Sequence, residues 1–207
     1  MDKHDTPRAQ PPSAYDPTEG AQQERWVIDP VRSPLTFSLR HIVVQRINGR
    51  FGRWGGTLYI DRGQPSLSSA EVWIDLASIT TGDPQRDEHV RSAEFLDVEQ
   101  FPRAVFRSEL VQVRDHHVTI DGRLALHGLS RDVRVEVDIG RTEKAAGGQM
   151  RGHYTARATL DRQAFGLHWN QDLDVGGIVV GDQVDIGAEI EVVRVADDDG
   201  HGLPRRG

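Results

Sequence analysis

Cysteine is absent from the 207 residues. That excludes disulfide frameworks, thiolate metal sites, iron–sulfur clusters and cysteine nucleophiles, and says little about compartment. Long apolar runs are missing as well. The longest are three residues, as in Ile42-Val43-Val44, against the ~20 that a membrane-spanning helix needs. Positive charge is in deficit: Lys plus Arg number 25 and Asp plus Glu 32, a net charge of −7. Proteins that live on attraction to a phosphate backbone usually carry a basic field, so a nucleic-acid partner is not expected. The opening Met1-Asp2-Lys3-His4-Asp5-Thr6-Pro7 lacks the apolar stretch of a secretion signal, which makes a cytoplasmic protein the expectation.

Several catalytic signatures are missing too. No His-Glu-x-x-His, P-loop, dinucleotide fingerprint or Gly-x-Ser-x-Gly elbow occurs, and adjacent His116 and His117 on a strand would point to opposite faces. No metal or cofactor is predicted.

What is present is a period of two. Leu35, Phe37 and Leu39 alternate with polar neighbours, and so do Val72, Ile74 and Leu76. The pattern recurs in Val118/Ile120/Leu124/Leu126, in Val133/Val135/Val137/Ile139 and in Val184/Ile186/Ala188/Ile190/Val192. Runs around Trp54 to Ile60, Ala104 to Val113 and Tyr154 to Leu160 bring the number to about eight strands, each with one apolar and one wet face. The polar segments 1–23 and 196–207 read as disordered tails around a folded unit of 24–195, with a loop near 141–150. Gly49 to Gly56 reads as a bent strand.

One segment breaks the period. In Thr81 to Phe95, Asp83 suits an N-cap and Pro84 the first helical position, which predicts a short helix in a long connection. One helix cannot cover eight strands, so the apolar faces must bury one another in a sandwich or closed barrel. The inward set includes small residues: Gly56, Ala70, Ala104, Ser108, Gly122, Ala156, Ala158 and Ala188. These favour a cavity, with a side-chain-filled, tapering interior as the alternative.

Four polar residues fall where a ligand would be met. His41 continues the inward series of Leu35, Phe37 and Leu39; a buried, hydrogen-bonded core histidine is its other reading. Arg162 continues Tyr154, Ala156, Ala158 and Leu160, a placement that suits a strand end or cavity mouth. On the helix, Arg86 and His89 share a face that could hold an anion, while Asp87 and Arg91 are spaced to pair across a turn. A solvated amphipathic helix is the plainer alternative. Trp73, on the wet face between Glu71 and Asp75, suits a dimer contact.

Taken in order, these residues resemble the YceI-like family of polyisoprenoid-binding, lipocalin-like proteins. The resemblance runs from Trp26-Val27-Ile28-Asp29-Pro30 and Ser33, through Phe37 and His41, to Gly49-Arg50-Phe51. It is densest at Thr81-Gly82, Arg86-Asp87-Glu88-His89-Val90, Glu94-Phe95-Leu96-Asp97, Phe101-Pro102 and Phe106-Arg107-Ser108, and continues through Gly122 to Gly128 and Arg162 to Leu167. It implies a closed eight-stranded antiparallel barrel with one short helix and an apolar tunnel for an isoprenoid or similar amphiphilic lipid, often in a homodimer. The expected apolar wall is Phe37, Phe51, Val72, Ile74, Phe95, Phe106, Leu124 and Ala156. The candidates for a polar head are His41, Arg86, His89 and Arg162. The expected class is a lipid-binding protein, not an enzyme and without stable membrane insertion. The alternatives are an acid–base enzyme using His41 or His89 beside Asp87, and a stress-associated barrel without a dedicated ligand.

Overall fold

A computed structural model describes residues 23–41, 46–168 and 180–195. Eleven strands are formed among them: β1 (Gln23–Ile28), β2 (Leu35–His41), β3 (Arg46–Phe51), β4 (Trp54–Asp61), β5 (Ser69–Asp75), β6 (Ile79–Thr80), β7 (Arg103–Arg114), β8 (His117–Leu126), β9 (Leu129–Lys144), β10 (Met150–Asp161) and β11 (Val180–Arg194). The α-helix among the described residues is α1 (Pro84–Arg91). A 3-10 turn at Pro65–Leu67 joins β4 to β5.

Eight strands close a barrel in the order β1-β4-β5-β7-β8-β9-β10-β11, and β11 returns to β1. All the pairings are antiparallel. Closure depends on the length of β11: residues 180–188 pair with β2, and the last three residues switch to β1. Strands β2, β3 and β6 therefore extend the sheet from the first half of β11 and wall that part of the cavity with Leu35, Phe37, Phe51 and Ile79. The count of eight agrees with the sequence reading, but the membership differs. The alternation points to β2, whereas the strand that closes the ring is β1, whose inward face reads Glu24, Trp26, Ile28.

Register converts alternation into layers. Leu35, Ala188, Ala156, Val137, Val118 and Val113 are successive cross-strand partners, one inward row spanning six strands. A second row runs Gly56, Val72, Phe106, Leu124. Two glycines make room for inward rings. A Cβ on Gly122 would fall 2.6 Å from Phe106 Cζ, and one on Gly49 would fall 2.3 Å from Phe37 Cζ. Gly49 to Gly56 is not one bent strand. It is the end of β3, a turn at Gly52-Arg53 and the start of β4, because Ser78 holds the turn: Gly52 N–H donates to its carbonyl (3.0 Å) and Arg53 N–H to its hydroxyl (3.0 Å).

The seam of the barrel is the best-buried part. Trp26 is 1% exposed and Val192 0%. Trp54 Nε1 donates to the Ser33 carbonyl (2.7 Å), and Ser33 Oγ accepts from the Glu191 N–H (2.9 Å), which ties the β1–β2 turn to β4 and β11. Outside, the wet faces form cross-strand ion pairs such as Arg134–Asp121 and Arg157–Asp138. Exposed and screened by salt, such pairs keep the barrel wet on the outside more than they hold it together. The loop expected near 141–150 shrinks to a turn after Lys144. None of the described helices is long and apolar enough to cross a membrane.

Candidate functional site: an apolar barrel cavity with a polar mouth

The inward rows do not fill the barrel. They enclose a cavity of about 1290 Å³, so the interior is a cavity and not the side-chain-filled core that the pattern left open. All eight expected apolar wall residues line it: Phe37, Phe51, Val72, Ile74, Phe95, Phe106, Leu124 and Ala156. So do Ala70, Ala104, Ala158 and Ala188 from the small inward set. Typical small-molecule sites span about 300–1,000 Å³, so this space suits a larger or longer guest. Polar lining groups gather at two ends, around α1 and around the 61–69 turn. Arg157 is the exception, and its guanidinium pairs with exposed Asp138 (3.0 Å) on the outer face.

At the α1 end the local sequence builds a mouth. Asp83 caps the helix by accepting from the N–H groups of Gln85 (3.1 Å) and Arg86 (3.2 Å), with Pro84 at the first position, as the sequence predicts. Asp87 then turns under the helix. Its Oδ2 accepts from the Thr80 hydroxyl (2.8 Å), and its Oδ1 from the Thr81 N–H (2.7 Å) and hydroxyl (2.6 Å). The expected Asp87–Arg91 pair does not form. Thr80 and Thr81 present closer, better-aligned donors, and Arg91 Nη1 donates instead to the Ile79 carbonyl (3.2 Å). Burial alone would raise the Asp87 carboxyl. The bonds from Thr81 and Thr80, with the charge of Arg91, outweigh that and hold it below the ordinary carboxylate value.

Thr81 links this anchor to the cavity. While its hydroxyl donates to Asp87, it accepts from Arg86 Nε (2.7 Å), and Arg86 Nη2 donates to the Thr81 carbonyl (3.2 Å). The guanidinium is thereby fixed at the cavity edge, with Asp83 3.8 Å from Nη1. His89 also lines the cavity, its Nδ1 3.6 Å from Glu94. Arg162 lies just past the end of β10, is 2% exposed and borders the same space. Its guanidinium donates to the carbonyls of Gly181 (3.0 Å) and Leu167 and meets Asp182 at 3.2 Å. That makes Arg162 a clamp on the chain beyond β10. The backbone of His41 ends β2 opposite Val180, at the same end; its side chain lies outside the described residues, as does Trp169.

The opposite end was not anticipated from the sequence. Tyr154 lines the cavity there, as do Asp61, Arg62 and Ser68. Glu24, on the inward face of β1, binds Arg62 Nε (2.9 Å), Arg194 Nη1 (3.0 Å) and Trp26 Nε1 (3.1 Å). Burial works to raise the Glu24 carboxyl, and these partners overcome it and lower it. Adjacency of Glu24 to the polar tail hid this role, and no local period links residues so far apart in the chain.

A closed antiparallel barrel around a guest-sized apolar interior is the architecture of lipocalin-like small-ligand binders. The comparisons narrow the class. A model of the YceI-like domain matches residues 26–192, and the chain belongs to that family. The protein YceI of Salmonella newport is 34% identical over 134 residues, 64% of this chain and 70% of the relative. A UPF0312 protein of Pseudomonas syringae pv. tomato is 30% identical over a span of the same length. Among solved structures, BcnA of Burkholderia cenocepacia has a TM-score of 0.69 at 20% identity, covering 79% of this chain and 98% of that one. A polyisoprenoid binding domain from Saccharophagus degradans, described as implicated in plant cell wall breakdown, has a TM-score of 0.62 at 16% identity, covering 82% and 98%. Those two likenesses concern the fold.

Proposed function

We propose that this protein binds one isoprenoid or similar long-chain amphiphile, with its tail in the barrel and its polar head at the α1 mouth, and that it stores or carries this lipid without transforming it. The observation that carries the reading is the cavity: about 1290 Å³ walled by aliphatic and aromatic rows, with polar groups at its ends. At about 30 Å³ per water-sized group, that volume has room for roughly 40 non-hydrogen atoms. Buried chain gains ~0.8 kcal/mol per CH₂, so ten such groups supply ~8 kcal/mol before the cost of freezing rotors. Tight binding therefore needs no polar chemistry in the tunnel. A packing defect of this size would cost on the order of 30 kcal/mol at ~24 cal/mol per Å³, more than a domain's whole stability, which favours a space kept for a guest.

Arg86 and His89 supply the head contact, because charge-assisted bonds are directional and strong at a half-wet mouth. Asp87 and Thr81 position Arg86, and Arg162 shapes the wall. The two oxygens of Asp87 accept from Thr80 and Thr81, and the carboxylate that His89 Nδ1 meets in this geometry is that of Glu94, at 3.6 Å. Self-association through the outer face of Trp73 belongs to the same proposal. The indole there lies between Arg103, 5.2 Å from its ring centre, and Gly55.

The test is a titration of delipidated protein with a prenyl diphosphate and with the prenol of the same tail. Both should saturate at one per chain. The diphosphate should bind about tenfold tighter, and Arg86→Ala should erase that difference while leaving prenol binding intact. Failure of both ligands to saturate would overturn the proposal.

A further inference from the structure

The end of the tunnel opposite α1 is built differently from its middle. Tyr154 faces inward from β10, opposite Ile190 of β11 and Ile139 of β9. Its ring does not lie across the barrel at its own level. It runs back over Gly152, whose added Cβ would meet Tyr154 Cε2 at 3.2 Å and its hydroxyl oxygen at 3.4 Å. Gly152 is one inward position nearer the 61–69 end, so the phenol extends toward that end with its hydroxyl leading. The β9–β10 ladder shifts register here: between the Gly152 and Tyr154 pairings, Gly140 and Arg141 of β9 oppose the single residue His153. Such a bulge bends the strand and re-aims its side chains.

Beyond the ring is a polar lattice. Glu24 joins β1 to Arg62 in the turn after β4 and to Arg194 at the end of β11, and Trp26 Nε1 adds a third donor. The turn that carries Arg62 is itself tied, since Asp61 is 4% exposed and its Oδ1 accepts from the N–H groups of Gly63 (2.9 Å) and Gln64 (2.7 Å). Arg62 and Tyr154 both line this end of the cavity, and Glu24 holds the Arg62 guanidinium there.

We propose that this end is a length gauge: Tyr154, backed by the Glu24–Arg62 pair, sets the longest apolar tail that the barrel accepts. The inference rests on the lipid-binding reading above and adds a specificity determinant to it. Each buried methylene raises affinity about fourfold before rotor costs, so affinity climbs with tail length while apolar wall remains. Once the tail reaches Tyr154, further chain has to turn the phenol out, or part Glu24 from Arg62 and leave that half-buried carboxylate with only Arg194 and Trp26 Nε1. Added length then costs affinity.

Native mass spectrometry of the delipidated full chain with an equimolar series of linear polyprenols reads this directly. Wild-type occupancy rises with length and then drops at least tenfold for the next isoprene unit past the gauge. A phenol ring is slightly larger than one isoprene unit, so Tyr154→Ala moves the drop one unit longer, while Tyr154→Phe leaves it in place. Arg62→Ala, at an exposed side chain that does not threaten folding, relieves the penalty for the first excluded chain. A wild type with no drop, or a drop that neither Tyr154→Ala nor Arg62→Ala alters while short chains still bind, overturns the gauge and leaves lipid binding standing. Absence of binding at every length overturns both.

Discussion

Asp87 is the side chain on which the α1 mouth depends, and replacing it with Ala has a calculable cost. The carboxylate accepts from the Thr80 hydroxyl, the Thr81 N–H and the Thr81 hydroxyl, at 2.8, 2.7 and 2.6 Å. Hydrogen bonds to a charged group contribute about 1.5–3 kcal/mol each. The two hydroxyls are half-buried and regain water in the variant, so the net loss is roughly 3 kcal/mol rather than the full sum. For a domain of this size, ~2–4 °C of melting temperature per kcal/mol makes the expected drop about 6–12 °C. The pH dependence has a definite sign. Because the folded carboxyl titrates below its unfolded value, its stabilisation is complete above about pH 4 and is lost as pH falls through the folded value. Thermal unfolding of wild type and Asp87→Ala should therefore show a gap that is constant at neutral pH and narrows in acid. A variant within about 0.5 kcal/mol of wild type at pH 7, or a gap that persists unchanged in strong acid, would refute this account of the mouth.

Other outcomes follow from the same geometry. Ala156→Phe puts a ring into the cavity from the middle of an inward row; it should lower retained lipid at least tenfold while leaving the barrel's circular dichroism unchanged, and full retention would show that the guest lies elsewhere. His117 meets Asp138 at 3.0 Å and Glu136 at 2.6 Å on the outer face, and those bonds raise its pKa. Its contribution to stability is complete below the unfolded histidine value and disappears as pH rises through the folded one, so an NMR titration midpoint at or below that of a free histidine would contradict the geometry. Trp73→Ala should sediment as a monomer where wild type sediments as a dimer, and a monomeric wild type would remove the dimer proposal.

Most of the barrel is legible in the sequence because its cause is local. An inward–outward alternation such as Val133/Val135/Val137 against Arg134/Glu136 needs no partner to be read, and Asp83-Pro84 announces its helix in the same way. Closure is not local. Strand β1 offers Glu24, Trp26 and Ile28 as its inward series, and the leading carboxylate makes it look like the margin of a tail. Only the return of β11 shows what Glu24 is for. The helix shows a similar limit. Spacing favours Asp87 with Arg91, but two adjacent threonines before the cap present three donors to one carboxylate, and a surface ion pair worth ~1 kcal/mol at most cannot compete. Gly49 and Gly122 are visible as glycines in strands, yet the rings they admit, Phe37 and Phe106, are fixed only by register. The apolar wall was therefore readable residue by residue, while the far end, made by Glu24, Arg62 and Tyr154 from three distant segments, was not.

A single amphiphile inside the barrel should be seen by native mass spectrometry of protein purified without detergent from the cells that produce it, followed by organic extraction. One adduct per chain is expected, with an extract dominated by a lipid carrying a long unbroken apolar tail, and loss of that adduct in Ala156→Phe. A bare protein mass together with an extract free of such lipid would contradict that expectation.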